Sequence, residues 1–378
     1  MRKKIAFVSS NIGSIRSFLS IPINKLSKKN FIYIYSNLGK EKYFPDFESK
    51  NIKLIDIPLQ RNISFLNDLK CFLKLLFFMF RDRPDITITL TPKGGFLGIT
   101  ASYLMLIKTR IHYYTGQVWV TKRGLLKKLL KLIDKTIFKM CTESLTDSKH
   151  QKKFLEYERI VNNDSLKVLA NGSICGVDTS RFHPNINYRS EIRKDNNISS
   201  DSIILLFLGR LNKDKGVLDL VDVFNDILNK SNKSIFLFLV GPDEEGIKTK
   251  IEKLKYKNFD KIIFIKFTTH PEKYMAAADI FCLPSYREGF GMVALEASAC
   301  ALPIIASKIY GLIDAIEENK SGLFHEVKDK KQIENLLIKL IDDEELRIRL
   351  GKQGRERVVK DFEQKYVTEE FVKYIQNL

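Results

Sequence analysis

Two glutamates with seven residues between them, Glu288 and Glu296, are the most chemically informative pair in this chain. Glu288 leads into Gly289-Phe290-Gly291, where missing side chains let backbone approach a ligand closely. A helix is expected from about Met292, and its first free amides would attract phosphate. Within that helix, Glu296 interrupts Met292-Val293-Ala294-Leu295 and Ala297-Ser298-Ala299-Cys300. A carboxylate in such company is costly unless hydrogen-bonded. Ribose hydroxyls would serve; a glutamate on a solvated helix face is the alternative. Upstream, Arg210 and Lys215 stand five residues apart in Gly209-Arg210-Leu211-Asn212-Lys213-Asp214-Lys215-Gly216. A guanidinium and an ammonium converging there suit a diphosphate. A solvated turn is the other reading.

These residues follow short, unbroken apolar runs of the kind that form strands buried on both faces. Ile203–Leu208 precedes Gly209, Ile235–Val240 precedes Gly241-Pro242-Asp243, and Ile280–Leu283 precedes Pro284-Ser285-Tyr286-Arg287-Glu288. Ile262–Ile265 and Ile304–Ala306 are further runs of this kind, as are Ile5–Val8, Ile32–Tyr35 and Ile86–Leu90 in the first half. Helical patterns alternate with them, which implies parallel sheets covered on both faces. Ligands bind beyond the carboxyl ends of such strands. The loops after 208, 240 and 283 should therefore share one edge. Turn-forming residues cluster at about 170–201, and that stretch is expected to be a linker. The expected fold class is α/β, with two Rossmann-like lobes facing a cleft. The lobes are expected at 1–183 and 184–360, with 361–378 a C-terminal helix crossing back to the first lobe.

The frame from Pro284 to Ala297 resembles the EX7E signature of retaining glycosyltransferases of the GT-B fold, family GT4. Gly209-Arg210 with Lys215-Gly216 is similar to the same family's phosphate-binding element. Ala278-Asp279 also matches, as do Asn171-Gly172 and Gly176-Val177-Asp178. The resemblance implies that the second lobe binds a nucleotide sugar, UDP-linked by default, and needs neither cofactor nor metal. Arg210 and Lys215 would hold the diphosphate and, with Glu288, form the catalytic group. Glu288 would contact the donor sugar and Glu296 the ribose. Gly209, Gly241, Gly289, Phe290, Gly291, Met292 and Val293 would line the donor site. In the first lobe, family members often carry His where this chain has Leu90 and Thr115. Thr115, Gly116 and Gln117 are the substitutes, with Gly13, Ser14, Lys93 and Gly94 as further acceptor-side residues. His112 ends an expected strand. The implied acceptor is a glycan, polyprenyl-diphosphate-linked, in bacterial surface polysaccharide (capsule or lipopolysaccharide) synthesis. A GT-B sugar-nucleotide epimerase and a nucleic-acid-binding protein are the alternatives.

The 378 residues include 63 Lys/Arg and 45 Asp/Glu, a net charge of +18. Residues 1–190 hold 33 basic and 14 acidic side chains, a surplus of 19, whereas 191–378 hold 30 and 31. Such asymmetry calls for an anionic partner on the first half. No nucleic-acid module accompanies it. On Leu125–Met140, apolar residues at 126, 129, 130, 133 and 137 share one helical face, while Lys127, Lys131, Lys135 and Lys139 form a row on another. This suggests an anionic membrane surface, with a packed helix bearing a solvated lysine row as the alternative. Five scattered cysteines without CxxC spacing read as reduced thiols, and nothing resembles a zinc site. The stretch Cys71–Phe80 is too short to span a bilayer. After Met1-Arg2-Lys3-Lys4, the four apolar residues Ile5–Val8 are too few for a signal peptide. The expected location is cytoplasmic and peripheral, on the inner membrane's cytoplasmic face.

Overall fold

The computed structural model describes residues 2–41, 43–47, 49–60, 64–254, 256 and 258–378. Met1 lies outside them. The chain divides into two compact units: Met1–Gly176 with Lys365–Leu378, and Val177–Gln364.

The first unit is built on a seven-stranded sheet, all its pairs parallel. Its strands are β1 (Lys4–Ser9), β2 (Phe31–Ser36), β3 (Ile52–Asp56), β4 (Ile86–Thr89), β5 (Thr109–Tyr114), β6 (Glu143–Thr146) and β7 (Lys167–Val168), in the order β3-β2-β1-β4-β5-β6-β7. The connections run outward in both directions from β1 and β4. With right-handed crossovers, helices therefore cover opposite faces, and the order reverses at the β1/β4 boundary.

The second unit repeats this plan with six strands. They are β8 (Ile203–Leu208), β9 (Ile235–Val240), β10 (Ile262–Ile265), β11 (Ile280–Leu283), β12 (Ile304–Ser307) and β13 (Gly322–His325), in the order β10-β9-β8-β11-β12-β13. Its reversal falls between β8 and β11, the strands that carry the Arg210/Lys215 and Glu288 loops. Ile204 through Phe207 are wholly buried, as are Ile280 and Phe281. This explains why their sequences are unbroken apolar runs.

β3, β6, β7 and β13 escape that pattern. β3 is an edge strand with Lys53 and Asp56 exposed, and β6 buries Ser144 and Thr146 on either side of Leu145. The stretch 170–201 also differs from the expected linker, because it holds a helix at Ile186–Asp195. Two of its asparagines, Asn185 and Asn196, cap that helix, and the Asn185 side chain accepts from the Asn187 and Tyr188 amides. Replacing Asn185 with Ala should cost about 1 kcal/mol of stability in a denaturant titration, the usual worth of such a cap. This helix is bolted to the second sheet. Arg189 and Arg193 donate to the two Asp279 oxygens at 2.7 and 2.6 Å, and the Ile204 amide donates to Asp279 at 2.8 Å. Asp279, conspicuous in sequence, thus has a structural place.

The division at 176/177 lies ahead of 183/184 for a local reason. The Val177 amide donates to the Phe362 carbonyl, the Gln364 amide donates to that of Val177, and Phe182 joins the second core. From Lys365 the last helix, Gln364–Gln376, belongs with the first unit, where the Tyr374 hydroxyl donates to Glu143 at 3.0 Å.

Candidate donor site at the strand-order reversal of the second unit

Three loops leave the carboxyl ends of β8, β9 and β11, and glycine sets how closely they approach. Gly241 has φ +139°, and a Cβ there would sit 2.0 Å from the Gly209 carbonyl oxygen. Gly216 has φ +66°, and its Cβ would meet the Pro284 carbonyl oxygen at 2.1 Å. Larger residues would push the loops apart. The Leu211 amide donates to Pro242 at 2.8 Å and the Tyr286 amide to Asp214 at 2.8 Å, which fixes the same approach through backbone.

This packing joins two motifs that are 73 residues apart in sequence: the Lys215 ammonium donates to a Glu288 oxygen that also accepts from Ser285 at 2.9 Å. Arg210 donates to Glu244 at 2.7 Å, and the Asn212 amide group reaches the same oxygen at 2.9 Å. Both cations are thus held by carboxylates in this structure. Arg287 adds a third positive group, 3.4 Å from Asp214, and its buried Nε has no partner among the described residues. A diphosphate entering here would replace carboxylates as the acceptor of the Arg210 and Lys215 hydrogen bonds, at little extra desolvation cost.

Gly291, at φ +69°, turns the chain into the helix Met292–Ala299. Gly289, Met292 and Val293 are partly exposed beside it, whereas the Phe290 ring is buried, 5.9 Å from that of Phe362. Only the backbone of Phe290 could therefore face a ligand. Glu296 is partly buried in that helix, and no hydrogen bond from the described residues reaches its carboxyl. Burial raises its pKa to about 7; Arg181 opposes the shift and Glu272 adds to it. Such a carboxyl is poised for hydroxyl donors from outside the protein.

In the first unit, Gly13 and Ser14 open the helix Ile12–Ser27, where the Ser14 amide is capped by Asn11 at 3.0 Å. Lys93 and Gly94 open the helix Pro92–Leu104, and Lys93 is paired with Asp68 at 2.8 Å. The loops after β1 and β4 meet there, the Ser10 amide donating to Thr91 at 3.1 Å. Thr115 and Gly116 are partly exposed after β5. Gln117 is buried, with its side chain 3.2 Å from Gln151. His112 is buried, 2.8 Å from the Thr89 hydroxyl, and burial lowers its pKa to about 3. It is a neutral core residue.

The helix Gly124–Met140 differs from its sequence reading. Lys127 and Lys131 lie over the Trp119 ring at 5.9 and 5.4 Å, and Lys131 pairs with Glu158 at 2.6 Å. Half of the lysine row is therefore packed, while Leu126 and Leu129, expected on the packed face, are exposed. A buried Trp119 one loop upstream is the reason, because lysine stems pack well on an indole. Sequence reasoning also missed Glu244 and Arg181. Glu244 lies in the loop after β9, so its edge of the sheet was legible and its partner was not.

Residues 188–357 match the family described as Glycosyl transferases group 1. The chain is 29% identical over 357 residues to a capsular polysaccharide biosynthesis glycosyltransferase of Staphylococcus aureus, covering 93% of this chain and 92% of that protein. It is 26% identical over 325 residues to the UDP-Gal:alpha-D-GlcNAc-diphosphoundecaprenol alpha-1,3-galactosyltransferase of Escherichia coli, covering 84% and 82%. An Anabaena protein solved in complex with UDP and glucose shares the fold over 100% of both chains, with a TM-score of 0.80 at 14% identity.

Proposed function

From residues 188–357, which belong to the group 1 glycosyl transferases, and from a chain that is a glycosyltransferase of GT-B architecture, we propose a retaining enzyme that transfers a sugar from a UDP-sugar to a polyprenyl-diphosphate-linked glycan. The observation that carries this reading is the junction of Lys215 with Glu288 at the β8/β11 reversal, beside Arg210. It supports the reading because an ammonium suited to a diphosphate there meets a carboxylate suited to sugar hydroxyls. The E. coli relative, named for a UDP-linked donor and a diphosphoundecaprenol-linked acceptor, supports the acceptor class and the uridine nucleotide, and the S. aureus relative supports a role in surface polysaccharide synthesis. The same matches favour transfer over epimerisation. The basic first unit is the acceptor side, with Gly13, Ser14, Lys93, Gly94, Thr115 and Gly116 as its candidate contacts and Gln117 supporting that loop from within.

Glu296 accepts hydrogen bonds from the ribose hydroxyls, and Arg210 and Lys215 hold the diphosphate. As the bond from the anomeric carbon to phosphate oxygen breaks, negative charge grows on the leaving diphosphate and positive charge on the ring. The two cations stabilise the first, and Glu288 positions the sugar that carries the second. The acceptor hydroxyl attacks the face that the diphosphate leaves and passes its proton to the departing phosphate oxygen. Anomeric configuration is kept without a covalent glycosyl-enzyme. The enzyme works peripherally on the cytoplasmic face of an anionic membrane, and no described helix is long and apolar enough to cross it.

A thermal-shift screen against UDP-, GDP- and dTDP-sugars should select the UDP series. Transfer to a polyprenyl-diphosphate-linked acceptor should then give a product of the donor's anomeric configuration by NMR. Activity should survive EDTA, because Arg210 and Lys215 supply the leaving-group charge. Conversion of free nucleotide sugar without acceptor, or EDTA inhibition reversed by Mn²⁺, would overturn the corresponding part.

A further inference from the structure

The first unit exposes apolar side chains on the outer face of three neighbouring helices. On Phe65–Asp82, a narrow line of Cys71, Leu75, Met79 and Asp82 faces inward. The opposite side shows Phe65, Leu66, Leu69, Leu73, Phe77 and Phe80 at 46–80% exposure. The helix Pro92–Leu104 packs between this one and Gly124–Met140, and at its end Tyr103, Leu104 and Leu106 are 49–86% exposed. On the third helix Leu125, Leu126, Leu129 and Leu132 are 44–83% exposed. Helices pack about 8–10 Å apart, so the face is on the order of 20 Å across. Large exposed apolar side chains gathered on three neighbouring helices mark an interaction site.

Charge decides the occupant. The aspartates on the outer two helices are engaged: Asp68 pairs with Lys93, Asp82 with Arg81 and Tyr35, and Asp134 accepts from Trp119. Lys70, Lys128 and Lys139 are exposed on the same two outer helices. Two copies meeting through it would oppose like charges, whereas an anionic lipid surface neutralises them while acyl chains take up the leucines and phenylalanines. We infer that this three-helix face is the membrane-docking surface, seated in the interfacial zone of an anionic bilayer through its Phe and Leu side chains with the exposed lysines of the same helices reaching the headgroups. The inference deepens the peripheral location proposed above, replacing the lysine row with an inserted apolar face.

Two triple variants test it in the full chain: Leu66→Ser/Leu69→Ser/Leu73→Ser and Leu125→Ser/Leu129→Ser/Leu132→Ser. Flotation with phosphatidylglycerol-rich vesicles should weaken at least tenfold for each triple and more for the combination, and wild-type binding should partly persist in high salt. Since these leucines face outward, melting temperature should not fall, and turnover of a water-soluble acceptor should stay at the wild-type level. That soluble assay separates a failed docking surface from a failed transferase assignment. Wild-type flotation by the combined variant would overturn the inference. So would complete release of wild type by salt, or a wild-type dimer that ignores vesicles and becomes monomeric in the variants.

Discussion

Replacing Arg210 and Lys215 together with Ala should lower kcat about 10³–10⁴-fold while KM for the nucleotide sugar changes much less. Each cation is a preorganised donor aimed at charge that grows as the diphosphate leaves, and losing one such donor typically costs 10²–10³ in rate. Ground-state binding to the same phosphates is weaker, so the loss belongs mainly to the transition state. The pairs Lys215–Glu288 and Arg210–Glu244 sharpen this expectation. The double variant leaves two carboxylates without their cations near the anionic donor, and Glu244→Gln added to it should recover part of the binding but little of the rate. Steady-state kinetics with a soluble acceptor measure both. A raised KM with unchanged kcat would mean that the cations only bind substrate.

Glu296→Gln should separate function from stability. Hydrogen bonds from hydroxyls to a charged acceptor are worth about 1.5–3 kcal/mol, so losing the carboxylate should weaken donor binding about tenfold or more. The empty protein should respond in the opposite sense. The folded-state pKa of Glu296 is raised from 4.5 to about 7, so the folded state holds its proton more tightly than the unfolded chain does. The resulting cost is absent below about pH 4.5, grows as pH rises, and is complete above about 7. By linkage it amounts to roughly 3 kcal/mol. Glutamine carries no charge to desolvate, so the variant should be more stable than wild type at pH 8 and nearly equal to it at pH 5. Donor affinity of the wild type should rise between pH 6 and 8 as the carboxylate forms, and that of the variant should stay flat. An intact nucleotide sugar is the right probe, since its phosphates do not titrate there. Calorimetry and urea unfolding at the two pH values provide the readouts. Unchanged donor affinity in the variant would remove Glu296 from the ribose.

Much of the donor site was legible because its determinants are local. Arg210, Lys215, Glu288 and Glu296 stand at short spacings just after apolar runs, and strands buried on both faces must be such runs. The parallel α/β plan and the shared edge of the three loops follow from that pattern alone. The division near 176 and the return of the last helix were close to legible, displaced where Val177 pairs with Phe362 and Gln364. Tertiary structure decided what depends on neighbours distant in sequence. It placed Lys215 on Glu288 and Arg210 on Glu244, gave Asp279 to two arginines, and buried Gln117, His112 and the Phe290 ring. It also shifted the reading of the helix Gly124–Met140: Ile137 is buried and Leu130 packs on the core as the periodicity implied, but Leu126 and Leu129 do not. Helical periodicity reports which residues share a face but not which face meets the core. Here Trp119 takes Lys127 and Lys131 inward, and Leu125, Leu126, Leu129 and Leu132 are left outside.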